Sequence, residues 1–393
     1  MTSPTASAQP GRYRLVPMRP RDPNEPGRSA TPLELFFDLV FVVAVSIAAA
    51  QLHHSLTENH VLDGLFAYAI VFFGIWWAWM NFTWFATSFA TDDWLYRLLT
   101  FVQMAGVLVL AAGIEAAFVD REYDLLVYGY VVMRFAMVAQ WSRASRHAGS
   151  SRRATQIYAV GIAILQILWL VMLTLPQPLA TITLVVLVTA ELAVPIIAEL
   201  RGQTPWHPHH ITERYGLFAL IVLGESLLAS TNAIIEALHE QDALAPLVSI
   251  AVLTLVVTAA LWWIYFWPPH YTAIGSFAKS LRYGYVHYFV FASAAAFSAG
   301  IEVEIDVVTD HSQLSDVAAA FTVSIPITVF MLSVWWVAIQ ANADRLVNTT
   351  VLAGAVLVLL EPLLPAAFTL TAIIMTLVVV VLVLRPPTHG EAD

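Results

Sequence analysis

Asp38 lies inside the run Leu35-Phe36-Phe37-Asp38-Leu39-Val40-Phe41, where every other side chain is apolar. A carboxylate at membrane depth costs on the order of 2.5–3.5 kcal/mol by insertion scales, so it needs a partner from another helix, a bound cation or a proton. Glu225 poses the same problem within Leu223-Gly224-Glu225-Ser226. The small Gly224 is expected to let another backbone approach beside the acid, as a packed polar site between helices requires. Arg214 precedes Glu225 by eleven residues. That spacing puts it on nearly the same helical face but about 16 Å away along the axis, too far for a pair within one helix. Arg134 falls near the midpoint of an apolar stretch, too deep to snorkel, and Asp38, Glu225 and Glu191 are its candidate partners. Glu191 is equally deep in Thr189-Ala190-Glu191-Leu192, with Pro195 one turn on to free a backbone carbonyl. Glu34 has a local explanation, because Thr31-Pro32-Leu33-Glu34 reads as a capping box with proline at the first helical position. Asp38, Glu225, Arg134, Glu191, Ser226 and Glu34 are therefore the candidate substrate- or ion-binding set.

Other chemistry-bearing residues carry blander readings. Glu115 and Glu302 fall at the outer ends of apolar runs, where they meet water. Trp76, Trp77, Trp79 and Trp84, with Trp262, Trp263, Tyr265 and Trp267, read as interfacial anchors, a cation-binding aromatic cage being the alternative. Trp206-His207-Pro208-His209-His210 has too few ligands for a tetrahedral metal site, and His287 reads as a hydrogen-bonded core histidine. Nucleotide-binding glycine loops, HExxH and GxSxG strings are all missing, so no enzyme activity, cofactor or metal is expected. The absence of cysteine excludes disulfides, thiolate ligands and cysteine nucleophiles.

These residues need helices in lipid to hold them. Of the 393 residues 59% are hydrophobic and 12% charged, and mean hydropathy is +0.73. Soluble domains have about a quarter charged residues and cannot hide this much apolar surface. Lipid is then the main partner, with no nucleic-acid footprint and room for a homodimer. Runs long enough to span a bilayer fall near 32–52, 62–89, 97–118, 124–142, 154–175, 178–199, 213–236, 245–267, 281–301, 317–340, 346–362 and 364–384. With the N-terminus inside, Arg97, Arg143, Arg146, Arg152, Arg153, Arg201, Arg214, Lys279, Arg282, Arg345 and Arg385 all fall inside, and Arg121 outside. That bias predicts a multi-pass inner-membrane protein with both termini cytoplasmic. The opposite loops are acidic or His-rich: His53 to His60, Glu236 to Asp242, and Glu302 to Asp316. Residues 1–30, with Arg12, Arg14, Arg19, Arg21 and Arg28 and several prolines, read as a disordered cytoplasmic tail, and 386–393 as a second tail.

Self-comparison shows an offset of 186 to 187 residues: Ala112-Gly113-Ile114-Glu115 recurs as Ala299-Gly300-Ile301-Glu302, Trp76-Trp77 as Trp262-Trp263, and Pro178 as Pro365. The same shift lays Asp38 on Glu225. The expected architecture is all-α, with twelve transmembrane helices in two parallel six-helix repeats, 31–200 and 213–385, joined by a cytoplasmic linker at 201–212.

Thr31-Pro32-Leu33-Glu34-Leu35-Phe36-Phe37-Asp38-Leu39-Val40-Phe41-Val42, Glu213-Arg214-Tyr215-Gly216-Leu217 and Leu223-Gly224-Glu225-Ser226 resemble the bacterial low temperature requirement A family over nearly all of 28–385. The resemblance implies a multi-pass inner-membrane protein. A looser one, Phe-x-Asp-x-Val-Phe in the first helix of a six-helix repeat, is to potassium channels whose first helix carries an FSD motif. Here Phe37 replaces the middle serine and Gly224-Glu225 stands in the second half. The leading functional expectation is an ion- or proton-coupled secondary transporter in which Asp38 and Glu225 line a polar site between the halves and Arg134 tunes their pKa values. A cation channel and a non-transporting scaffold are the alternatives, the latter using buried charges only to lock helices.

Overall fold

The computed structural model of the protein describes residues 15–239 and 243–388. Arg12, Arg14, Glu240, Asp242 and residues 389–393 of the second tail lie outside them. Among the described residues there is no strand, and twelve helices are long and apolar enough to cross a membrane. They are α1 Pro32–Thr57, α2 Val61–Phe89, α3 Trp94–Ala112, α4 Asp124–Ala144, α5 Gly149–Met172, α6 Leu179–Arg201, α7 Pro208–Glu236, α8 Leu244–Phe266, α9 Phe277–Val308, α10 Asp316–Asn342, α11 Arg345–Leu363 and α12 Ala367–Leu384. Each expected apolar run overlaps one of these helices, though 97–118 runs past the end of α3 at Ala112 into a separate short helix, Ile114–Val119. The helices overrun the runs where their ends turn polar: α9 starts one turn before residue 281 and ends nearly two turns after 301.

α1 shows how these sequences make membrane helices. Thr31 caps its N-terminus through Glu34, completing the expected capping box, and Pro32 occupies the first turn, where no intrahelical N–H is needed. Its buried face carries Glu34, Phe37, Asp38, Phe41, Val45, Ala48 and Leu52, while Leu35, Phe36, Leu39 and Val43 are exposed. Both faces are apolar, and the only charges point inward, the reverse of a soluble amphipathic helix.

Internal contacts divide the chain into two compact units whose limits differ from the sequence halves. The first comprises Met1–Gly27, Asn81–Val107 and Val127–His207; the second comprises Arg28–Met80, Leu108–Leu126 and Pro208–Asp393.

In the first unit, the tail segment 15–27 is mostly exposed and is held at a few points. Met18 is fully buried, and the Arg21 N–H donates to Ser88 O at 2.9 Å. The Val16 N–H donates to Asp93 Oδ2 at 3.0 Å, and Arg143 Nη2 donates to Val16 O at 2.8 Å. Arg143 also pairs with Asp93, its Nη1 lying 2.9 Å from Oδ1. Within the segment Arg21 pairs with Glu25 at 2.6 Å.

The second unit is built around α9, the most enclosed span, which packs on α10, α7 and α1. Gly300 and Gly113 permit two close helix approaches. A Cβ at Gly300 would sit 2.4 Å from Thr322 O, and one at Gly113 2.5 Å from Leu126 N. Trp76, Trp77 and Trp79 are at most 2% exposed, which overturns their reading as interfacial anchors; Trp262 and Trp263, at 43% and 40%, fit it better. The first three face their own unit's interior, where Trp76 meets Tyr285 and Tyr288.

Candidate functional site

Asp38 finds its counter-charge on α7. Arg214 Nε lies 3.3 Å from Asp38 Oδ2, and Arg214 Nη2 makes a still closer contact with Oδ1. Trp79 Nε1 on α2 donates to the same Oδ1 at 2.7 Å, and its ring stacks on Phe218 at 4.3 Å. Asp38 and Arg214 are 1% and 0% exposed, so this is a dry, fully desolvated pair. One turn below, Glu34 gathers Arg28 Nη2 at 3.2 Å, His210 Nε2 at 3.3 Å and Arg214 Nη1 at 4.0 Å, beyond its capping role. Such a network costs desolvation that only good geometry repays, and removing one member leaves a buried charge exposed to nothing.

Glu225 sits elsewhere. Ser46 Oγ on α1 donates to its Oε1 at 2.6 Å. Because Asp38 faces Arg214 and Ser46 faces Glu225, the two acids are separated by eight residues of α1, about 12 Å. The expected joint site of Asp38 and Glu225 therefore does not form. The reason is axial displacement: α7 stands beside α1 with residue 214, not 225, level with residue 38. Between the two levels, Phe41, Ala44, Val45, Phe218 and Val222 are all fully buried and form an apolar layer.

Above that layer Glu225 lines a half-open cavity of about 400 Å³ with Ser46, His53, Asn232, Ser298 and Glu302. Asn232 Nδ2 donates to Glu302 Oε1 at 2.7 Å. His53 Nε2 is 2.7 Å from Asp306 Oδ2, which also accepts from Thr57 Oγ1 at 2.9 Å. Glu302, assigned only to a water-facing helix end, is thus a cavity residue. Gly224 does not provide close packing: a Cβ there would meet nothing within 4 Å. Ser226, fully buried, points to α8, contacting Thr258 Oγ1 at 2.8 Å, and is not among the cavity's lining residues.

Arg134 takes the third of its candidate partners, with Nη2 2.9 Å from Glu191 Oε2. Gln166 Nε2 donates to Glu191 Oε1 at 3.0 Å, and the guanidinium carbon lies 5.7 Å from the Tyr130 ring centroid. Arg134 and Glu191 are 1% and 0% exposed, on α4 and α6 of the first unit.

Several histidines have partners. His287 Nδ1 donates to Tyr283 O at 2.7 Å, with Nε2 3.2 Å from the Tyr265 hydroxyl. His207 Nε2 lies 3.1 Å from Glu25 O, His209 stacks on Tyr271, and among the described residues no group of three His, Asp or Glu side chains could hold a metal. Outside the spans, burial pulls His270 down to about 4. Burial pushes the Asp93 carboxyl up, but hydrogen bonds from Arg143, Tyr96 N–H and Val16 N–H outweigh it and hold the group below its ordinary value.

Residues 29–384 match the family described as bacterial low temperature requirement A protein (LtrA). The chain belongs to the LtrA family. It is also 30% identical over 243 residues to a Rhizobium meliloti (strain 1021) protein named "Uncharacterized protein RA0937", a match covering 59% of this chain and 57% of that protein. In this LtrA protein the strings that carry the resemblance hold Glu34, Asp38, Arg214 and Glu225. They therefore supply the buried charge network and the carboxylate of the cavity. Arg214 could have been found from sequence by asking which span could lie against Asp38; Ser46, Asn232 and Ser298 carry no such signal, being ordinary helix-packing residues in lipid.

Proposed function

We propose that this LtrA family member is an ion- or proton-coupled secondary transporter of the bacterial inner membrane, with Glu225 as the carboxylate that takes the coupling ion. The observation that carries the reading is the cavity itself. A buried acid lines a polar chamber that ends at an apolar layer, with the Asp38–Arg214 network beyond it. A carrier needs such a chamber open on one side and closed on the other, whereas a conducting channel needs a continuous wet path. The apolar layer therefore favours the carrier over the cation channel. The Lys and Arg distribution supports a chamber on the outer face with both termini in the cytoplasm. Gly113 and Gly300 support the duplicated six-helix reading, since each matches the other at the 187-residue offset and each lets its segment approach the helix that follows.

The test is flux in proteoliposomes with cation and proton gradients imposed separately. Glu225→Gln, which keeps the shape and the contact with Ser46, should abolish gradient-driven uptake. Unchanged uptake in that variant removes Glu225 from the mechanism, and unitary current steps in a planar bilayer would replace the carrier with a channel.

A further inference from the structure

We infer that the cavity between α1, α7 and α9 is a two-station site for alkali-metal cations, with Glu225 and Ser46 as the inner station and Glu302 and Asn232 as the outer one. The inference rests on the reading of Glu225 as an ion-binding carboxylate and adds the class of ion and its route.

Glu225 is only 9% exposed, and Ser46 occupies its Oε1. Among the described residues no group hydrogen-bonds its other oxygen, which is not fully enclosed and opens on the cavity that Glu225 lines. Such an oxygen is costly unless an ion, a proton or water answers it. The cavity lining holds no lysine or arginine, and its one base, His53, is engaged by Asp306. A cation that balances Glu225 would have to come from outside the protein.

Spacing sets the valence. Asn232, which carries Glu302, follows Glu225 by seven residues on α7. That is about 10 Å along the axis, whereas carboxylate oxygens sit roughly 2.3–2.6 Å from a calcium-sized ion. Glu225 and the Asn232-bound Glu302 are anchored at different levels of the cavity, an arrangement suited to one ion at each. Each station therefore offers a single negative charge, which one monovalent cation balances, while a divalent ion is left half neutralised. The neutral oxygens decide between a metal ion and a proton. Ser46 Oγ, the Asn232 side-chain carbonyl and Ser298 Oγ line the same cavity. A proton needs only the carboxylate, whereas a hard metal cation shedding water needs replacement oxygens of this kind. Two weak stations in series, rather than one tight cage, also let an ion enter and leave.

The sequence contains no cysteine, so a single Ala50→Cys reporter on the cavity wall reads its occupancy without background. The full-length protein in proteoliposomes is labelled with a membrane-impermeant thiol reagent while sodium or potassium replaces N-methylglucamine at fixed ionic strength and pH. Sodium or potassium should slow labelling saturably. Adding Glu302→Gln should raise the half-saturating concentration about tenfold, the equivalent of one lost charged ligand, and adding Glu225→Gln should leave protection only at high concentration. If labelling responds to pH but to neither alkali cation, the two-station site is overturned even where Glu225→Gln still abolishes flux. If cations protect the cysteine through Glu302 but Glu225→Gln leaves flux intact, the site stands and the transport reading falls. Protection unaffected by Glu302→Gln, with the variant shown folded by its melting curve, would also overturn the outer station.

Discussion

Replacing Asp38 or Arg214 singly is expected to destabilise the second unit far more than replacing both. Asp38 is 1% exposed and accepts from Trp79 Nε1 and Arg214; Arg214 is fully buried, with Glu34 as a second acid at 4.0 Å. Arg214→Met leaves a buried carboxylate with the tryptophan N–H but without its counter-charge, and Asp38→Leu leaves a buried guanidinium facing a more distant acid. Breaking a buried pair from one side costs about 3–5 kcal/mol. The double variant removes both charges and leaves the Trp79 N–H unpaired, for about 1–3 kcal/mol, while Glu34 keeps Arg28 and His210. Additivity would place the double variant at roughly 6–10 kcal/mol, so a coupling of at least about 3 kcal/mol is expected. Asp38→Asn is the control, since its amide oxygen still accepts from Trp79 but brings no charge. Equilibrium unfolding in mixed dodecyl sulfate and maltoside micelles measures all four. A double variant equal to the sum of the singles within about 0.5 kcal/mol would refute the reasoning and return the pair to a weakly coupled contact.

Arg134→Gln should cost a similar 3–5 kcal/mol in the same assay, with Glu191→Gln added to it restoring part of the loss, because the pair is buried on both sides. Gly300→Ala should lower stability by about 1–3 kcal/mol by forcing α9 away from the Thr322 carbonyl, whereas Gly224→Ala, facing open space, should be silent in melting curves. The Asp93 carboxyl is held below its ordinary value, so its contribution is full above the unfolded pKa of about 3.9 and is lost as pH falls through the lower folded value. Cutting of segment 15–27 by pepsin should therefore rise as pH falls through that value, and Asp93→Asn should show increased tryptic cutting at Arg21 at neutral pH. His270, pulled down to about 4 by burial, stays neutral in the fold while the unfolded chain protonates near 6.5, so stability should decline from about pH 6.5 towards 4. His270→Gln should flatten that decline in a pH series of melting temperatures.

Which of these features a reader of the sequence could see follows from how local each one is. The twelve spans were legible because hydrocarbon thickness imposes a run length on every one of them, and the α1 capping box because Thr31 and Glu34 act within four residues. The depth of Asp38, Glu225, Arg134 and Glu191 was equally legible. Their partners were not, since partner choice depends on how far one helix is shifted along its neighbour, and a hydrophobic pattern fixes a helix's face but leaves its axial position free. A shift of eleven residues on α7 against eight on α1 sets Arg214 opposite Asp38 and Glu225 opposite Ser46. The points that hold segment 15–27 were illegible for a related reason: composition alone marks it as unable to form a core, and the buried Met18 and the Arg21 N–H bond to Ser88 O depend on helices distant in sequence.

That axial shift is also what makes a carrier physically reasonable. Had the two acids been level, Arg214 would have neutralised one and repelled any cation from the other, leaving a static seam. Staggering them by about 12 Å gives the guanidinium to Asp38 and leaves Glu225 facing a chamber whose lining contains no fixed cation. The apolar layer of Phe41, Val45, Phe218 and Val222 then keeps the two electrostatic environments apart. On the proposed carrier reading, a cation bound at Glu225 would remove the charge that resists desolvation there, and a movement of α7 past α1 with its acid neutralised would cost less. An unloaded Glu225 cannot make the same passage cheaply. Coupling between ion binding and movement would thus come from the cost of carrying a bare carboxylate through that layer, and shortening Phe41 and Phe218 to alanine should weaken it, seen as uptake that no longer follows the imposed cation gradient.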